Sequence, residues 1–195
     1  RVRSSAASDV YKRQLLGFGD DKVAAMGIVM KINMIAALVL VGFAFGGQPL
    51  IGYNYGAKNR ERLKGTLKFA YLFEGGLALV LMAVLGFFAP QLVRLFMSDP
   101  SVVENGALML RLQLAGMVFM GIVLISTCTF QSAGQAVGAF LLSVSRQGVI
   151  FAIVLNVALR VAGYQGVLAS QAVSDLLTAL LAVVLVVRWW KSVEF

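Results

Sequence analysis

Apolar positions in this chain run in long blocks broken by short polar stretches. Between Lys31 and Lys58 there is no charged residue, and none stands between Arg111 and Arg146. A helix needs about 20 mostly apolar residues to cross about 30 Å of hydrocarbon. The first block is long enough for one tilted helix; the second holds a helix, a turn and the start of another. The pattern predicts an all-α, polytopic membrane protein with five transmembrane helices. Their approximate bounds are Val23 to Gly56, Leu63 to Ala89, Glu104 to Gln131, Gly138 to Leu159 and Gln165 to Val187. Leu15 to Gly19 reads as the end of a further helix.

The punctuation supports these bounds. Ala57-Lys58-Asn59-Arg60-Glu61-Arg62 is a polar turn, and Pro90 closes the second span. Ser98-Asp99-Pro100-Ser101 reads as a helix start, with a capping residue before a proline. Gly134 and Gly138 bracket the third connection, and Gly163-Tyr164-Gln165-Gly166 forms the fourth. Residues 1–14 (RVRSSAASDVYKRQ) are basic and rich in Ser and Ala without an apolar core. They are expected to be a non-native or disordered leader, which leaves 15–195 as a partial C-terminal membrane lobe.

Composition agrees: 59% of residues are hydrophobic and 13% charged, against about 45–50% and about 25% in ordinary soluble domains. The net charge of +8 does not call for nucleic acid, because the basic residues sit between apolar runs. Lys58, Arg60, Arg62, Lys64, Lys68, Arg146, Arg188 and Lys191 fall on one set of alternate connections. Arg94, Arg111 and Arg160 fall on the other, with Asp99 and Glu104 beside them. The excess marks the first set, and the C-terminus, as cytoplasmic. Trp189 and Trp190 are expected as interfacial anchors there. The one cysteine, Cys128, excludes an internal disulfide framework, and the lack of His excludes a zinc site or His triad within the chain. A membrane-embedded enzyme would need clustered catalytic residues that the sequence does not offer.

Two acidic residues stand inside apolar spans, where a carboxylate costs about 2.5–3.5 kcal/mol on insertion scales. At about 1.5 Å per residue, Glu74 lies about 18 Å beyond Arg62 and Asp175 about 20 Å before Arg188. The two reach similar depth on different helices, and lining a shared cavity they would serve as coupling-ion or substrate groups. The alternative is that each is a satisfied polar group. Pro49, in Gly46-Gly47-Gln48-Pro49, clashes with the carbonyl of Phe45 and should bend or open the first helix. Gln48 beside it is a third candidate for contact with a ligand or cation, the alternative being a plain kink. Gly42 with Gly46, and Gly52 with Gly56, are spaced for close helix packing. Arg146 is expected to snorkel at the cytoplasmic interface.

Residues 47–57 (GQPLIGYNYGA), Phe130-Gln131-Ser132-Ala133-Gly134-Gln135, Ser145-Arg146-Gln147-Gly148 and Val173-Ser174-Asp175 resemble motifs of bacterial MATE (multidrug and toxic compound extrusion) transporters, in order and spacing, over about residues 18 to 190. The motif positions are Gln48, Pro49, Gly52, Asn54, Gly56, Arg146 and Gln147, and the MepA-like branch is the nearest match. The resemblance implies a twelve-helix protein of two six-helix lobes, with this chain supplying helices eight to twelve. It implies export of small cationic amphipathic compounds by alternating access, driven by H⁺ or Na⁺, with no cofactor. Membrane lipids and the N-terminal lobe of the same protein would be its partners, and a bacterial cytoplasmic membrane its location. Acidic residues on helices seven and ten bind the coupling cation in some branches. Helix ten here has none in its interior, which shifts attention to Glu74 and Asp175. A lipid-linked precursor flippase of the same superfamily, or a membrane-embedded channel or scaffold, is the competing reading.

Overall fold

The computed structural model describes residues 19–193; the expected leader and most of the piece from Leu15 lie outside them. The described chain is helical. The helices are α1 (Asp20–Gly56), α2 (Arg60–Phe87), α3 (Ala89–Arg94), α4 (Pro100–Ala115), α5 (Met117–Ser132), α6 (Ala136–Val144) and α7 (Ile150–Ser192), with a π turn, Ser145–Val149, between α6 and α7. These make the five expected spans, redrawn in three places. The third span starts at Pro100 and is interrupted at Gly116, between α4 and α5. Pro90 does not close the second span; it sits in the first turn of α3, where its missing N–H costs nothing. The fourth connection is a single residue. Gly163, at φ 53° and ψ −128°, alone leaves helical geometry within α7. That is the conformation of the first central residue of a type II′ turn, open to glycine.

At Gly163 the chain folds back on itself. Arg146 meets Asp175 at 2.9 Å, and a side chain at Gly166 would collide with the backbone of Ala158. In a straight helix Arg146 and Asp175 would be about 43 Å apart. Both contacts pair residues from opposite sides of the bend, as in an antiparallel hairpin.

The ends are built from local chemistry. Asn59 caps α2, its side-chain oxygen accepting from the N–H of Arg62 at 3.0 Å, and Glu61 stands in the positive first turn. Asp99 caps α4, accepting from the N–H groups of Ser101 (2.8 Å) and Val102 (3.4 Å). The turns after α1 and α5 share one geometry. The N–H of Asn59 reaches the carbonyl of Asn54, and that of Gln135 reaches the carbonyl of Phe130, with Lys58 (φ 53°) and Gly134 (φ 69°) left-handed. Both are Schellman turns, which satisfy carbonyls at the helix end. Gly138 does not bracket a turn: it lies within α6, where a Cβ would stand 2.9 Å from the Phe130 ring.

Polar and apolar residues are distributed as in lipid. Among the described residues, large apolar side chains such as Phe69, Leu72, Phe87, Val137, Phe140 and Val161 face outward, while Asn54, Glu74, Gln113, Ser126, Thr129, Ser170, Ser174, Asp175 and Thr178 are buried. A water-soluble monomer rarely exposes so much contiguous apolar surface. Ser126, Thr127, Thr129, Ser143 and Thr178 each donate to the carbonyl four residues back, at 2.7–2.9 Å, so their hydroxyls need no water. One end of the bundle gathers Tyr55, Phe130, Trp189 and Trp190, with Arg60 over Trp190. Trp189 is therefore a buried packing residue there, at 7% exposure, and not a simple interfacial anchor. The other end brings Asp21 to Ser101 and Lys22 over Tyr164.

Candidate functional site

Glu74 stands at the middle of α2 with no exposed surface. Neither carboxyl oxygen has a hydrogen-bond partner. Its stem packs on α5, where a Cβ on Gly121 would come within 2.9 Å of its Cγ; the absent side chain makes the room. On the same two helices, Tyr71 and Ser126 share a hydrogen bond between hydroxyls at 2.9 Å, and Phe73 stacks on Phe43 of α1 at 4.2 Å.

Asp175 has the opposite surroundings. Its Oδ1 accepts from Arg146 Nε at 2.9 Å and its Oδ2 from Gln171 Nε2 at 3.3 Å. The Ser174 hydroxyl donates to the Arg146 carbonyl at 3.4 Å, tying the two arms at the same level. Arg146 thus does not snorkel to the interface. The helix begins at Ala136, which places Arg146 about 15 Å inside it, and the π turn carries it toward α7. Gln147, next in the motif, is exposed.

The two carboxyls do not share a cavity wall. Asp175 touches the third span at Gly116, where a Cβ would stand 3.1 Å from its Oδ2, and Glu74 touches it at Gly121. Five helical positions separate those glycines, roughly 7.5 Å along the axis and roughly 140° around it. The carboxyls flank the broken span from two sides, offset along its axis.

The remaining motif residues form a junction between α1 and its neighbours. Gln48 donates to the Gln131 side chain at 3.3 Å, and its carbonyl accepts from Ser132 at 3.1 Å. Gln48 is thereby occupied with α5. Gly52 lies against Ser132, where a Cβ would be 3.7 Å away, whereas the Cβ positions of Gly42, Gly46 and Gly56 meet nothing within 4 Å. Of the expected packing glycines, Gly52 alone has a described helix against it; Gly42 and Gly46 line an apolar cavity of about 360 Å³ with Phe43, Thr66 and Phe69. Asn54 is buried, donating to the Leu50 carbonyl (2.9 Å) and Thr66 Oγ1 (3.1 Å). α1 runs unbroken past Pro49, so the proline does not open the helix. Sequence reasoning also missed Gln113. It is buried, accepts from Asn33 Nδ2 at 3.2 Å, and faces Met26 Sδ at 3.2 Å, joining α1 to α4. An amide amid apolar neighbours was the available signal.

The MatE family model matches residues 13–160. Multidrug export protein MepA of Staphylococcus aureus (strain NCTC 8325 / PS 47) is 30% identical over 172 residues, covering 88% of this chain and 38% of that protein. MepA of Staphylococcus haemolyticus (strain JCSC1435) is 28% identical over the same extent. Among solved structures, a multidrug resistance MATE family transporter of the MOP superfamily in its outward-facing conformation aligns with a TM-score of 0.88 at 19% identity, over 96% of this chain and 43% of that one. The bent form of VcmN from Vibrio cholerae aligns at 0.86 and 21%, over 95% and 42%. At such identities these likenesses concern the fold. The chain spans 38% of the length of the MepA relatives it matches.

Proposed function

The chain belongs to the MatE family, and from that premise we propose that it works as part of a secondary active transporter that exports small cationic amphipathic compounds, coupled to H⁺ or Na⁺. Its setting is the cytoplasmic membrane of a bacterium, with both Schellman turns and the C-terminus on the cytoplasmic side.

Glu74 is the observation that carries the reading. An ionisable residue inside a span is a functional site by default, and this one is wholly buried with neither oxygen bonded. An isolated carboxylate there would cost several kcal/mol, roughly, in desolvation, so the group needs a proton or a cation whenever the helices close over it. Release of that partner on one side and capture on the other is the step that alternating access requires. The Tyr71 and Ser126 hydroxyls bond each other and not the carboxyl. The flippase alternative calls for a basic cavity, and the buried charge at this site is acidic.

The test is dye efflux from cells expressing the intact transporter that carries this chain. Glu74→Gln should keep expression and lower efflux by at least about tenfold, the loss that about 1.4 kcal/mol produces. Efflux equal to wild type would remove Glu74 from the mechanism.

A further inference from the structure

Arg146 and Asp175 form an ion pair between the arms of the hairpin, with side chains 15% and 4% exposed. Among the described residues, few charged groups face the carboxylate. From the π turn comes Arg146, the charged group that acts on it. From its own helix comes the neutral Gln171. From the third span comes the backbone of Gly116, without a side chain. A guanidinium stays protonated at every working pH.

We propose that Arg146 is a tethered cation: it occupies Asp175 in this conformation and withholds that carboxylate from free monovalent cations, leaving a Na⁺ site when it withdraws. The inference rests on reading the buried carboxyls as the cation-handling groups of a transporter, and it separates them. Glu74 is the group without a partner; Asp175 carries its own.

Three features support it. Oδ2 retains only a 3.3 Å contact to Gln171, so the carboxylate has lone pairs to offer an ion. Gly116 stands at that oxygen, so no side chain fills the space beside it. Arg146 lies in a π turn, which an ordinary helical turn can replace by shifting register. That shift rotates Arg146 away from α7 without unfolding either arm.

The test needs no transport assay. Thermal unfolding of the purified full chain in detergent is followed in NaCl and in choline chloride at equal ionic strength. All proteins compared carry Glu74→Gln, which removes the other buried carboxylate, and the one with Arg146 and Asp175 intact, the wild type of this series, should differ by less than about 1 °C between the salts. Arg146→Gln should lower Tm by about 5–15 °C in choline, as expected when one partner of a buried pair is removed, and Na⁺ should restore part of the loss. Arg146→Gln with Asp175→Asn should regain stability and show no Na⁺ response. A folded Arg146→Gln protein indifferent to Na⁺, or a wild type responding as strongly as the variant, overturns the proposal. Where Arg146→Gln does not fold, Arg146→Lys, whose shorter reach leaves Oδ1 partly open, should show an intermediate Na⁺ response; indifference there overturns the proposal equally. Failure of Glu74→Gln to impair efflux leaves these salt responses unchanged, so the two ideas fall separately.

Discussion

Glu74 and Asp175 show how far depth along a helix specifies a residue's environment. Spacing to Arg62 and Arg188 puts them at similar depth, whereas their contacts on the third span lie roughly 7.5 Å apart along its axis. Their neighbours depend on which face of the third span each meets, and no periodicity in an all-apolar run reports that. Gly121 is the clearest dependency. Gly121→Ala should destabilise by about 1–3 kcal/mol through overpacking, because its Cβ would fall 2.9 Å from Glu74 Cγ. In a Glu74→Ala background the same change should cost much less, a coupling that a double-mutant cycle in Tm would register. Outside the membrane, hydrogen bonds from Ser101 and Val102 hold the Asp99 carboxyl below the usual carboxylate range. Its folded pKa is thus the lower one. The cap's contribution is present above the unfolded pKa and is lost as pH falls through the folded value. Acidification from pH 7 should therefore narrow the Tm gap between wild type and Asp99→Ala. A gap that stays constant into strong acid would mean that the charge plays no part. This cap was legible from Asp99-Pro100-Ser101. The inward turn of Arg146 was not, because it depends on α6 starting at Ala136.

Among the elements, the joints differ in what they tolerate. Gly163 holds φ 53° and ψ −128°, where a Cβ is strained by about 1–3 kcal/mol. Gly163→Ala should lower Tm accordingly and weaken the Arg146–Asp175 contact further along the hairpin. Lys58 occupies the left-handed position that Gly134 fills in the matching turn. Left-handed geometry costs a non-glycine residue about 1–2 kcal/mol, so Lys58→Gly should be neutral or stabilising, whereas Gly134→Ala should destabilise; thermal unfolding of both checks the sign. Charge-free blocks and polar turns made the five spans legible. The interruption at Gly116 was not, since one glycine amid Leu, Ala, Met and Val carries no signature of its own. Gly163 stood within the expected turn, but its neighbours Tyr164, Gln165 and Gly166 continue the helix.

For the whole molecule, the basic residues expected on the cytoplasmic connections lose Arg146, which turns into the bundle, yet Arg60 lies over Trp190, so the basic start of α2 and the basic end of α7 share one end. A membrane-impermeant maleimide applied to intact cells should label Ser98→Cys and spare Glu61→Cys and Gln135→Cys, in a background where the native Cys128 is 1% exposed. The reverse pattern would invert the proposed orientation. The single-residue joint at Gly163 has a practical corollary for anyone altering this protein. Connections in most folds absorb epitope tags, protease sites and spare amino acids with little penalty. This one has no length to give, so an extra residue spliced there would shift every contact along both arms out of step, and residues 136–192 are best transplanted or truncated as one indivisible piece.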